Sequence, residues 1–302
     1  MDYKKILKSQ SLRFKILDLF NFISDEMMIK IQYKIKTGRK LNLVNPTRFT
    51  EKIQWYKLYY RDPLLTQCSD KYEVRDYVKN KGLGYILNDL YGVHNHPEEI
   101  DFDKLPNAFA IKVTNGSGTN LFIQNKSLIN IEKVREQLND WINLKNCSYG
   151  REWAYYNIKP KIIVEKLLKR DKNNDIPDYK FFCFNGSVYC LYTMIDYVDN
   201  HDKGQCSFYT TDFDQMPYRR SEFEPINKRI DAPKNFNKMI QIAEKLSEDF
   251  PHVRVDLYNV DGEIIFGELT FYNGSGYSVF TPDEFDYILG NQFILPERII
   301  GG

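Results

Sequence analysis

In the stretch FAIKVTNGSGTNLFI, residues 109–123, a lysine interrupts an apolar run and a Gly-Ser-Gly turn follows it. If residues 109–114 form a strand, Phe109, Ile111 and Val113 share one face, and Ala110, Lys112 and Thr114 share the other. Lys112 then points away from the apolar side, toward whatever the turn covers. Gly116 and Gly118 let backbone N–H groups approach an anion closely, while Ser117 and Thr119 add hydroxyl donors. That is a phosphate grip, although an ordinary hairpin with a surface lysine fits the stretch equally well. It is not a P-loop, because no Gly-Lys-Ser/Thr follows. It is not a dinucleotide fingerprint either, because Leu121 stands where the third glycine belongs.

A second set of reactive side chains lies in VRVDLYNVDGEIIFGELT, residues 253–270. Arg254, Asp256 and Tyr258 share one strand face, and Glu268 and Thr270 share a face of the returning strand. A two-residue turn at Asp261-Gly262 would throw Asp256 and Glu268 to opposite faces, since an odd register shift flips every side chain. The expectation is therefore a three-residue turn with Gly262 left-handed, which brings the carboxylates together. Two carboxylates on an apolar sheet are costly unless a cation or Arg254 compensates them. Paired carboxylates with nucleotide phosphates are a usual way to hold Mg²⁺. A surface salt-bridge cluster is the alternative, disfavoured by the apolar flanks Val253, Val255, Leu257, Ile265, Phe266 and Leu269.

A third group lies between the first two. Glu165 ends the run IIVEKLL, and Asp178 and Lys180 share a face in DYKFF. The acid could hold ribose hydroxyls and the lysine a phosphate; an edge-strand ion pair is equally compatible. No GxSxG occurs and the four histidines are scattered, so a serine or cysteine nucleophile finds little support.

These groups need elements to position them. Leu12, Ile16, Leu19, Phe20 and Ile23 recur at helical spacing, Ser24 caps a second helix ending near Gly38, and Thr50 caps a third. A fourth starts after Ser69 and stops at Gly82. From about residue 105 the pattern turns to strands, with hairpins at the glycine loop, at Asn185-Gly186 and at Asp261-Gly262. Helices at 131–144 and 236–250 interrupt them. The order β-β-α-β-β-β-α-β-β predicts an α+β fold with antiparallel sheets. The expected division is a helical region at 1–104, a small subdomain with the glycine loop at 105–164 and a larger subdomain at 165–302.

Composition sets limits. The 302 residues carry a net charge of +1, so no global field points to nucleic acid. The first sixty residues are locally basic, with thirteen Lys/Arg against five Asp/Glu. They could touch anionic lipid or a polyanionic substrate, or form a solvated helix face. The N-terminus lacks a secretory apolar core, no apolar run is long enough for a membrane helix, and five cysteines have no CxxC spacing. The expectation is a cytoplasmic protein with reduced thiols.

Taken in order, NPTRFTEKIQWYKL, SDKYEVRDYV, FAIKVTNGSGTNLFI, KPKIIVEKLL, DYKFFCFNG and VRVDLYNVDGEIIFGELTF resemble the TupA-like ATP-grasp family over roughly residues 45–290. The resemblance implies an ATP-grasp fold of two α+β subdomains gripping ATP, with Mg²⁺ as the metal. It implies Lys71 and Lys112 as phosphate-binding lysines, with Gly116, Ser117 and Gly118 as a mobile loop. It implies a hinge at Glu165, Lys166 and Leu168 reading adenine, Asp178 on ribose, and Lys180 as an extra phosphate contact. Asp256 and Glu268 become the metal ligands and Arg254 the cation on the transferred phosphoryl. Thr270 stands where many ATP-grasp ligases have a ligating asparagine; the resemblance makes it the third metal residue, with a hydroxyl that is a poorer ligand than an amide oxygen. The implied reaction is carboxylate–amine ligation through an acyl phosphate, and a uronic acid of a bacterial surface polysaccharide is the favoured carboxylate. Peripheral contact with membrane-associated polysaccharide machinery is a possible partnership. Glycosyl transfer is an alternative, with Asp101-Phe-Asp103 and Asp212-Phe-Asp214 as its DxD triplets; a sugar kinase is another.

Overall fold

A computed structural model describes residues 22–116, 118–144, 149–171, 174–195 and 204–299. The expected first helix, Ser117 and Cys147 lie outside the described residues. Helix α1 (Asp25–Thr37) starts at Ser24, whose hydroxyl accepts from the Met27 N–H, and ends at a left-handed Gly38. Helix α2 (Phe49–Tyr59) starts two residues earlier than expected, with Arg48 rather than Thr50 at the cap. Thr50 sits inside it, where its N–H and hydroxyl both donate to the buried Asp286 carboxylate. Helix α3 (Pro63–Ser69), initiated by Asp62, precedes the short α4 (Val74–Asn80).

Strand β1 (Leu90–His94) falls within the stretch read as helical, so the helical reading of 1–104 does not extend to its end. It joins β2 (Phe109–Val113), β3 (Asn120–Ile123) and β4 (Ile162–Lys166) in an antiparallel sheet of order β1-β4-β2-β3. Phe109, Ile111 and Val113 face inward with Val164, against Val134 and Leu138 of α5 (Ile131–Ile142), and form a core of their own. The period-2 alternation expected for β2 is therefore present, and Lys112 lies on the opposite face.

The larger sheet has the order β10-β9-β5-β6-β7 and is antiparallel throughout. Its strands are β5 (Asp178–Phe184), β6 (Ser187–Ile195), β7 (Gln205–Tyr209), β9 (His252–Val260) and β10 (Glu263–Thr270). A two-stranded pair, β8 (Arg219–Arg220) with β11 (Phe280–Thr281), lies beside it. Helix α6 (Phe236–Ser247) covers one face through Met239, Ile242 and Leu246, and α2 and α7 (Glu284–Gln292) complete the second core. Each fully buried aromatic or aliphatic side chain there contributes about 1.5–3 kcal/mol. The four described cysteines are buried and form no disulfide. Among the described residues no helix is long and apolar enough to cross a membrane.

Candidate functional site

Between the two sheets lies a cleft of about 950 Å³. Seven cationic side chains line it, namely Lys71, Arg75, Lys112, Lys166, Lys169, Arg170 and Lys180, against four carboxylates, Glu165, Asp178, Asp256 and Glu268. That excess of positive charge suits a polyanion.

The carboxylate pair is built by a bulge. Asp261 and Gly262 both have positive φ, at 53° and 104°, and form a two-residue turn that pairs Val260 with Glu263. The three-residue turn expected from sequence is therefore not formed. The register instead shifts between Phe266 and Glu268, leaving Gly267 unpaired and setting Glu268 opposite Asp256 and Thr270 opposite Arg254. A Cβ on Gly267 would come within 2.9 Å of the Asp256 carbonyl oxygen, so the bulge is fitted to glycine.

Arg254 organises this face. It donates to both Asp256 oxygens, Nε to Oδ1 at 2.6 Å and Nη2 to Oδ2 at 2.7 Å, and Nη2 also reaches Glu268 at 3.2 Å and Thr270 Oγ1 at 2.9 Å. The Thr270 hydroxyl donates onward to Glu268 Oε1 at 3.2 Å. Burial pushes the Asp256 carboxyl up, but Arg254 and Lys180 outweigh it and hold the group below its ordinary range. Lys180 lies on the central strand β5, directly across from Asp256, and bridges Asp256 and Asp178 at 2.5 Å each. The edge-strand alternative does not apply to it. Burial pushes the Asp178 carboxyl up to about 6, against the pull of Lys180. Its Oδ1 is buried without a hydrogen-bond partner within the chain.

On the smaller sheet, Lys112 projects into the cleft and pairs with Glu165 Oε2 at 2.7 Å. Lys71 donates to the Gly116 carbonyl of the glycine loop, and burial draws its pKa down. Gly118 lines the cleft with φ +78° and open space where a Cβ would stand. Of the hinge residues, Glu165 turns its side chain to Lys112, while the Lys166 N–H donates to Asp89 O and its carbonyl accepts from Asn88 Nδ2. Leu168 follows beyond the end of β4 and also lines the cleft. The sequence reading missed Arg75, which lies one turn after Lys71; its only signal was a cation at helical spacing from that lysine. Neither DxD triplet lines the cleft. Asp101 caps a short turn and pairs with Lys104, and the Asp214 N–H closes a turn onto Thr210.

A family model for TupA-like ATPgrasp matches residues 51–294. Solved structures similar to the chain include an L-amino acid ligase from Bacillus licheniformis, at 13% identity and TM-score 0.47 over 80% of this chain and 55% of that one. A D-alanine–D-alanine ligase from Bacillus anthracis aligns at 15% identity and TM-score 0.45 over 76% of this chain and 67% of that one. The ATP-grasp ligase PsnB, solved with a minimal precursor, aligns at 12% identity and TM-score 0.40 over 70% of this chain. The chain spans 54% of PsnB's length, and roughly half to two thirds of these structures in general. No curated protein matches it.

Proposed function

The chain belongs to the TupA-like ATP-grasp family and has the ATP-grasp fold, and from that premise we propose that it is an ATP-dependent carboxylate–amine ligase. The observation that carries this reading is the meeting of Lys71, Lys112, Asp178, Lys180 and the Asp256–Glu268 pair in one cleft between two sheets. Lys71 and Lys112 would neutralise triphosphate oxygens, and the Gly118 backbone would approach them. The unpartnered Asp178 Oδ1 suits a ribose hydroxyl, and the Leu168 backbone suits the adenine edge. Arg254 would steady the phosphoryl group as it passes to the substrate carboxylate, and the glycine loop would exclude water from the activated carboxyl.

The carboxylates fit a magnesium ion completed by phosphate and water. Asp256 and Glu268 offer hard oxygens from adjacent strands, and among the described residues no three His, Cys, Asp or Glu side chains converge as a full protein cage. When bound there, Mg²⁺ would offset charge on the phosphates. Thr270, already tied to Arg254 and Glu268, would orient Glu268.

For substrates we assign a uronic-acid carboxylate and an amino acid or small amine, in surface-polysaccharide synthesis in the cytoplasm, with the basic N-terminal region near the membrane-associated machinery. Support for that class comes from the family resemblance. The test is incubation with ATP, Mg²⁺, uronic acids and amines, followed by product mass and ADP release. An amide with stoichiometric ADP supports the ligase. A phosphorylated sugar makes the protein a kinase, and turnover of a nucleotide sugar without ATP overturns the reading.

A further inference from the structure

We infer that Arg75 is a positioning residue that keeps Lys112 available to nucleotide phosphate; this rests on the ATP-binding reading above. The geometry is a carboxylate divided between two cations. Glu165 is almost fully buried, and its Oε2 accepts from Lys112 Nζ at 2.7 Å while its Oε1 faces Arg75 Nη1 at 3.3 Å. Arg75 is fixed at its other end, where Nη2 donates to the Asn88 carbonyl at 2.9 Å. All three charged side chains line the cleft.

The elements that carry them belong to different cores. Arg75 stands on α4, whose Val74, Tyr77 and Val78 pack into the larger core, whereas Lys112 and Glu165 stand on β2 and β4 of the smaller sheet. Two neighbours of Arg75 make the same crossing: Lys71 to the Gly116 carbonyl, and Glu73 to Lys161 at 2.7 Å. Residues 71, 73 and 75 thus tie the helical layer to the smaller sheet through polar contacts.

The electrostatic consequence follows from counting charges. With Arg75 present, the site of two cations and one carboxylate keeps a net positive charge. Without Arg75, Glu165 and Lys112 form a neutral, partly buried pair, and a phosphate must compete with a carboxylate that has no other partner. The loss is thus of availability, and removing the carboxylate should reverse it.

The experiment measures binding of a non-hydrolysable ATP analogue with Mg²⁺ by calorimetry, with circular dichroism melts to verify folding. Wild type, Arg75→Ala, Glu165→Gln and the double variant are compared. The expected result is that Arg75→Ala weakens binding by about tenfold and that adding Glu165→Gln returns it to within about threefold of wild type. A double variant as weak as Arg75→Ala assigns Arg75 a merely structural role and overturns the inference, as does an Arg75→Ala variant that binds like wild type. Arg75→Lys keeps one charge but cannot span both Glu165 and Asn88; it gives intermediate affinity and serves if Arg75→Ala does not fold. Wild-type protein that binds no nucleotide overturns the ATP reading, and this inference with it; the other two failures leave that reading standing.

Discussion

Glu268 faces Asp256 across the β9–β10 ladder because Gly267 bulges out of it. An unbroken ladder from the two-residue turn would put Gly267 opposite Asp256 and turn Glu268 to the other face. One extra residue in one strand thus decides whether two carboxylates can share a ligand.

Gly267→Ala should therefore injure the site and the sheet together. The new methyl would meet the Asp256 carbonyl at 2.9 Å and the Tyr258 ring at 3.3 Å. Overpacking of this kind costs about 1–3 kcal/mol. A lower melting temperature together with weaker Mg²⁺–nucleotide binding is expected. A variant with unchanged affinity would show that the bulge does not place the pair.

The two carboxylates should respond differently to neutralisation. The Glu268 side chain is 47% exposed, so Glu268→Gln should fold normally and lose turnover by about 10²-fold or more. The Asp256 side chain is 2% exposed and neutralises Arg254 and Lys180, so removing its charge should lower stability, by about 3–5 kcal/mol if the pair is broken outright. Chemical denaturation of Asp256→Asn beside Glu268→Gln checks the contrast. Equal stability of the two would contradict it.

Stability should rise between pH 7 and about 8.5 because of Lys57. This lysine is buried in α2 and donates to the carbonyls of Gly150 and Ser275 and to the Ser275 hydroxyl, yet burial draws its pKa down to about 7. Above pH 7 the unfolded chain binds a proton there that the folded chain does not, so stability grows with pH, by at most about 1.4 kcal/mol per unit. Beyond 8.5 the buried thiols, pushed up by desolvation, work in the opposite direction. The slope should become markedly shallower in Lys57→Met, leaving the smaller contribution of other buried lysines such as Lys71. His252, drawn down to about 3 by burial, adds a second loss of stability as pH falls below about 6.5.

Nucleotide with Mg²⁺ should raise the melting temperature by mass action, by about 2.7 kcal/mol of stability at a hundredfold excess over Kd. Lys112→Ala should reduce the shift sharply. A full shift in that variant would remove Lys112 from the phosphate site.

Local chemistry was the legible part of this fold. The Asn185-Gly186 turn, the position though not the length of the Asp261-Gly262 turn, the alternation through β2 and the Ser24 and Gly38 caps are set by a few adjacent residues, and each is where the sequence placed it. Residues whose role depends on distant neighbours were not legible. Strand β1 has weak alternation and is held by pairing with β4, more than sixty residues away. The Gly267 bulge looks like an ordinary glycine until the register on both sides is known. Lys57 and Arg75 carry no local signal of their role, because each is fixed by carbonyls from other segments.

The contact from Lys71 to the Gly116 carbonyl has counterparts at the cations placed for phosphate: Lys112 holds Glu165, Lys180 holds two aspartates, and Arg254 holds Asp256, Glu268, Thr270 and Tyr192. Ligand binding here is therefore an exchange of partners. A small monovalent anion could displace one internal partner and would gain little over the contact it broke. A chain of phosphates can engage several cations in one event and spread the cost of displacement over all of them. The cleft should accordingly discriminate by valence and spacing, ignoring chloride or acetate at concentrations where a triphosphate saturates it.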